Sequence, residues 1–214
     1  MNARVLVVGR SPSVLEATVE LLRASGYRAD ATNQFERVLD DYDVSALDVL
    51  VFGGMVPPDT KEHLSTEIGR RNAGIAVVQG LVGIPGVIAA QVEVATRGGH
   101  AADVEYVEES RTITVTLPSD VQVRVDAFWM TSWTPPEPAS TSSTVFEAVL
   151  AAGAHDIELP ERVPAEGSFA VVTVGVEVWA FAVGPMPSAL ARMVPKSAAD
   201  QRLPEVAKVS THTD

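Results

Sequence analysis

Hydrophobic positions in the first half of the chain come in short continuous runs, each closed by glycine or proline. The sharpest is Asp48-Val-Leu-Val-Phe52, followed by Gly53-Gly54 and then Pro57-Pro58. An apolar run of this length between turn residues is the pattern of a central parallel strand, buried on both faces. Val5-Leu-Val-Val8 repeats it, and residues 27–32 and 74–79 give two more strands. Helical spacing fills the gaps. Ser11 with Pro12, or Ser13 with Glu16, starts a helix that carries Val14, Thr18, Leu21 and Leu22 to a stop at Gly26. Asn33 with Glu36 is another capping box, predicting a helix to about Asp41 that presents Phe35, Val38 and Leu39. Asp59 or Thr60 opens a more polar helix to about Asn72. Beyond the loop 80–86, the positions Ile84, Val87, Ile88, Val92 and Ala95 form the clearest helical stripe in the chain. Strand alternating with helix at this spacing predicts a parallel sheet of four strands, or five, with helices on both faces.

The pattern changes after a hinge-like stretch at 97–103. Residues 112–117 alternate Thr with Ile113, Val115 and Leu117, and Pro118-Ser-Asp120 turns the chain. Val121, Val123 and Val125 then alternate with Gln122, Arg124 and Asp126, which predicts an antiparallel hairpin with one wet face. Residues 134–143, rich in Pro, Ser and Thr, read as a loop. Thr144 with Glu147 is a third capping box, predicting a short helix that ends at Gly153. Residues 168–183 read as two strands bent near Gly175. The polar, proline-bearing stretch after Gly184 reads as a loosely held tail. Residues 103–107 either add a strand to the first sheet or begin the second domain. The expected organisation is an α/β domain over 1–97, a small α+β domain of antiparallel hairpins over 103–184, and a tail over 185–214.

Composition narrows the function. Sixteen Lys and Arg against 28 Asp and Glu give a net charge of -12, which argues against a nucleic-acid partner. The absence of cysteine excludes a disulfide framework, a thiolate zinc site and a cysteine nucleophile. The four apolar residues after Arg4 are too few for a signal-peptide core or a membrane span, so a cytoplasmic protein without a membrane partner is expected.

The pieces Val5-Leu-Val-Val8, Leu22-(x3)-Gly26-Tyr27, Asp48-Val-Leu-Val-Phe52 and Met55-Val-Pro57 occur in this order over residues 4–96. That stretch resembles a response-regulator receiver domain, which implies a flavodoxin-like sheet. The family's chemistry needs an acidic pair after the first strand, an Asp ending the third, a Ser or Thr ending the fourth and a Lys ending the fifth. Here those positions carry Gly9-Arg10, Gly53, and Gln79 or Gly80, and no strand-Lys-Pro element follows. The resemblance therefore implies a pseudo-receiver without magnesium, phosphoacceptor or other cofactor. Nothing from residue 103 onward resembles a known family.

Two sets of candidate residues follow. The turns bearing Arg10 and Ser11, Gly53 and Gly54, and Gly80 and Gly83 converge on the carboxyl edge of the sheet, where ligands bind in open α/β folds. Backbone amides and a helix N-terminus there suit an anion or a nucleotide. The plainer reading is that these glycines only make tight turns, since neither the dinucleotide nor the P-loop spacing is present. The second set is a protein-binding surface on the fourth helix and its loop, Val82, Ile84, Val87 and Ile88, together with Trp129, Trp133 and Trp179. In a chain only 6% aromatic, these tryptophans either fill a small β core or anchor an interface, a homodimer included. His63, His100, His155 and His212 are scattered, and Asp40, Asp41 and Asp43, like Glu108-Glu109, read as solvated acidic faces. Ser168 lacks the surroundings of a nucleophile. The expected function is a non-enzymatic signalling or scaffolding protein that binds a protein partner. The alternative is a small-ligand sensor at the glycine turns.

Overall fold

The computed structural model describes residues 3–80, 83–98, 100–134, 137–187, 195–200 and 204–213. Its first half alternates β1 (Arg4–Val8), α1 (Pro12–Ala24), β2 (Arg28–Thr32), α2 (Val38–Asp41), β3 (Val49–Phe52), α3 (Pro58–Arg71), β4 (Ala76–Gln79) and α4 (Pro85–Thr96). The four strands form one parallel sheet in the order β2-β1-β3-β4. From Val5 to Val8 and from Val49 to Phe52 no residue is more than 2% exposed, as central strands require. Val5, Val7, Val49 and Val51 meet α1 and α4 on one face. Leu6, Val8, Leu50 and Phe52 meet Leu64 and Ile68 of α3 on the other. Full burial of such side chains contributes roughly 1.5–3 kcal/mol each, so the two apolar runs anchor the domain.

Helix α1 starts as one of the two predicted caps requires, with Ser11 accepting from Val14 N and Pro12 at the first position. Its inward stripe is Leu15, Thr18, Val19 and Leu22, while Leu21 is 43% exposed. The predicted helix at 33–41 is shorter: a 3-10 turn at Phe35–Arg37 runs into the single turn of α2. Asn33 does not cap it, because its side chain is taken up by residues 207 and 209.

The second half is all β among the described residues, not α+β. It comprises β5 (Asp103–Val107), β6 (Thr112–Leu117), β7 (Val121–Ser132), β8 (Ala139–Leu150), β9 (Gly153–Glu158), β10 (Ser168–Val174) and β11 (Glu177–Val183). Two antiparallel sheets, β5-β6-β9 and β11-β10-β7-β8, enclose one core. This is a three-on-four β-sandwich. Residues 103–107 thus begin the second unit.

Three expectations fail here for identifiable reasons. Thr112–Leu117 and Val121–Ser132 are not a hairpin, since β6 and β7 lie in opposite sheets. Ile113, Val115, Val123 and Val125 still point inward, because alternation reads the same for paired strands and for strands facing each other across a core. Residues 139–150 form one long strand in place of a loop and a helix. The supposed capping pair, Thr144 and Glu147, reaches across to Arg124 on β7 at 2.9 and 3.2 Å.

Helix α4 joins the two halves. Ile88, Ala89 and Val92 pack on the parallel sheet. Ile84, Val87 and Ala90 pack on Phe128, Phe169, Val171 and Val178 of the sandwich. The helix comes so close that a Cβ on Gly86 would lie 2.4 Å from Phe128 Cε1. Nor is the whole C-terminal stretch loosely held. Residues 207–213 run antiparallel along the free edge of β2, with a bridge between Thr32 and Ser210. No helix among the described residues is long and apolar enough to cross a membrane.

Candidate functional site

The three glycine turns do converge at the carboxyl edge of the parallel sheet, but they meet one another. Gly9 N–H donates to Thr32 O at 3.1 Å, Gly53 N–H to Val8 O at 2.8 Å, and Gly80 N–H to Phe52 O at 2.8 Å. Each amide extends the strand ladder by one residue and is spent there. A Cβ on Gly53 would lie 3.3 Å from Gly9 Cα, and one on Gly80 would lie 3.1 Å from Phe52 O. Glycine is needed for backbone to approach backbone. Gly54 has open space where a Cβ would go, and Gly83 lies against Pro138 and Val14. The amides of Gly9, Gly53 and Gly80 are therefore not free to cradle an anion.

The helix N-terminus in this set is occupied from within. Ser11 Oγ and Ser13 Oγ donate to Glu137 Oε2, and Ser13 N–H donates to the same oxygen at 3.3 Å. A carboxylate from the segment before β8 thus fills the anion position at the start of α1. No local pattern signals this, since the partners lie more than 120 residues apart.

Arg10 points elsewhere. Its guanidinium donates to Pro204 O, while its Nε is shut off from solvent without a hydrogen-bond partner. It lines a cleft of about 440 Å³ beyond the ends of β1, β2 and β3. Phe35, Leu39, Met55 and Leu64 give the cleft an apolar wall. Glu36, Asp59 and Asp200 set three carboxylates against Arg10 and His63. That balance disfavours a phosphate or nucleotide. Ser197 and Ala198 close one side, with Ala198 N–H donating to both carboxylate oxygens of Asp59 at 3.0 Å. Of the six residues proposed for a ligand turn, Arg10 alone is in the cleft lining.

The second candidate set is largely interior. Ile84, Val87 and Ile88 are at most 2% exposed, covered by the chain's own two halves. Val82 lies outside the described residues. Trp133 packs on Ile84 and Val87, and Trp179 packs on the sandwich core while its ring meets His100 at 4.4 Å. Trp129, on β7, stays partly exposed. The fourth helix therefore offers no free apolar face to a partner, because the sandwich already covers it.

Four residues organise the C-terminal segment, a role the sequence reading gave none of them: Asn33 and Asp59, expected only at helix starts, and Tyr42 and Asp30. Asn33 Nδ2 donates to Ala207 O at 2.6 Å and Oδ1 accepts from Val209 N at 2.9 Å. Tyr42 donates to Thr211 O at 3.1 Å and stacks on His212 at 4.9 Å. Burial raises its phenol above the ordinary tyrosine range. Asp41 and Asp43, from the acidic cluster, are structural. Asp41 pairs with Arg37 and Asp43 accepts from Ser45, and both carboxyls are held below the usual range by those bonds. His155 Nε2 lies 2.8 Å from Ala151 O. Ser168 is 1% exposed with its hydroxyl unpartnered. Among the described residues, no group of three or more His, Asp or Glu side chains is placed to hold a metal ion.

No family model matches the chain. No curated protein matches it either. Among solved structures, a β-glucosidase from Listeria innocua, determined in complex with isofagomine, is similar at a TM-score of 0.30 and 12% identity. The alignment covers 87% of this chain and 46% of that one, so this chain spans a little under half its length. A likeness that low carries no argument about fold or activity.

Proposed function

We propose that the chain is a non-enzymatic interaction module, a receiver-like α/β unit without phosphotransfer chemistry, joined through α4 to a β-sandwich and acting on a protein partner. The observation that carries this reading is Gly53. It ends β3 where a receiver keeps its phosphoacceptor, and a Cβ there would press on Gly9 Cα at 3.3 Å. The position carries no carboxylate to accept phosphate, any side chain there would crowd the Gly9 backbone, and the neighbouring Gly9-Arg10 offers no carboxylate for magnesium. The sheet order β2-β1-β3-β4 supports the comparison, since flavodoxin-like sheets run 2-1-3-4-5.

The experiment is incubation of the purified chain with acetyl phosphate and magnesium, followed by intact-mass measurement. The expected mass is unchanged; addition of one phosphate refutes the reading. A second reading, small-ligand binding, is favoured by the 440 Å³ cleft alone. Its acidic lining points to a neutral or cationic organic molecule with an apolar body, not to an anion. Thermal unfolding against such compounds tests it, because a native-state ligand raises the midpoint with concentration.

A further inference from the structure

The free edge of β2 is read by the chain's own C-terminus in the manner of a bound peptide. Every second residue of that edge takes part. Asn33 N–H donates to Val209 O at 3.1 Å, and Thr211 N–H donates to Ala31 O at 2.9 Å. Ala31 N–H donates to Thr211 Oγ1 at 2.9 Å, and Thr213 Oγ1 donates to Ala29 O at 3.3 Å. Asn33 clamps the backbone on either side of residue 208, accepting from one peptide and donating to another. Thr211 and Thr213 also reach Asp30 at 3.2 and 3.0 Å. The recognition is main-chain pairing plus alternate side chains Val209, Thr211 and Thr213, the logic of strand addition to a sheet edge.

The segment is seated but only lightly buried. Residues 205, 207, 208, 210, 212 and 213 are exposed, and Val209 alone packs against the core of the parallel sheet. Apolar burial is the dominant favourable term in association, and here there is little of it. Such a strand is easily displaced.

We propose that the β2 edge with Asn33 is a docking site for an extended segment of a partner protein, of the pattern Val-x-Thr-x-Thr, and that residues 207–213 occupy it in cis as an autoinhibitory strand. The partner supplies a backbone for Ala31 and Asn33 and hydroxyls for Asp30. The neighbouring contacts Arg10 to Pro204 O and Asp59 to Ala198 N hold the preceding stretch nearby. This rests on the protein-binding reading but fails separately from it: phosphorylation by acetyl phosphate would end that reading without touching the groove.

The test uses full-length protein and a fluorescein-labelled peptide of residues 205–213. Thr211→Pro removes the N–H that bonds Ala31 O and leaves every groove residue intact. Val209→Pro, which removes the N–H accepted by Asn33, is the second variant. Each is checked for a single cooperative unfolding transition, its midpoint lowered only modestly by loss of the docked strand. Fluorescence anisotropy is expected to show saturable binding to either variant, at least tenfold weaker binding to the wild type, and loss of binding in Thr211→Pro combined with Asn33→Ala. Absence of binding to both proline variants overturns the proposal. So does binding that Asn33→Ala leaves unchanged.

Discussion

Gly86→Ala probes the joint on which the two halves depend. The added Cβ would lie 2.4 Å from Phe128 Cε1 and 2.9 Å from Cζ. Carbon atoms in contact rest about 3.5–4.0 Å apart, so the ring must retreat by about 1 Å. Phe128 has little freedom to do so, since it packs among Ile84, Val87 and Phe169 on one side and Ala90, Val171 and Val178 on the other. Overpacking of this kind costs about 1–3 kcal/mol. Gly86 is the second residue of α4, so alanine's helix propensity recovers only a small part of the ~1 kcal/mol it is worth in a helix interior. The expected net loss is about 1–2 kcal/mol, read from the urea midpoint at unchanged slope. Phe128→Ala alone costs about 3 kcal/mol as a large-to-small change. The double variant is then less destabilised than the sum, because the methyl enters space the ring has left. A neutral Gly86→Ala, or strictly additive losses, would refute the close approach of α4 to the sandwich.

Ser168→Ala is expected to be neutral or to stabilise by about 1 kcal/mol, since the hydroxyl is buried without a partner. A loss above about 1 kcal/mol in urea unfolding would mean that the hydroxyl is bonded. Glu137→Gln weakens the charge complement at the N-terminus of α1 and lowers stability by about 0.3–1 kcal/mol at low salt. The effect shrinks as salt screens it, and a salt-independent loss would contradict this origin. Tyr42 titrates above its unfolded value because burial disfavours the phenolate. A raised pKa gives stability that is complete below the unfolded pKa, about 10, and is lost as pH rises through the folded one. Burial raises Tyr106 as well, so spectrophotometric titration at 295 nm should show two tyrosines ionising late, of which Thr211→Pro moves only Tyr42 toward about 10.

Much of the first sheet was legible because β1 and β3 are buried on both faces, and a continuous apolar run closed by glycine fits little besides a central strand. The stripe on α4 was legible too, down to Ile84, Val87, Ile88 and Val92. What covers it was not, because a stripe shows that a face is buried and not against what. The capping pairs divide on the same point. Ser11 caps its own helix, whereas Asn33 holds residues 207 and 209, and Thr144 and Glu147 reach Arg124. Local pattern cannot register a partner so distant in sequence. The same limit hid Glu137 at the start of α1 and the β2 edge filled by the C-terminus. At the carboxyl edge, the glycines are recognisable as tight turns from sequence alone. The ladder that consumes their amides is not, because it joins strands far apart in the chain.

Amide hydrogen exchange across the native chain tests the account most directly, because it compares the two edges in one sample. The amides of Gly9, Gly53 and Gly80 are expected to be protected nearly as well as the central strands, being bonded into the ladder. Asn33, Val209 and Thr211 are expected to exchange far faster, as a displaceable strand requires. Rapid exchange at Gly53 and Gly80, with core-like protection of residues 207–213, would contradict both halves of the account.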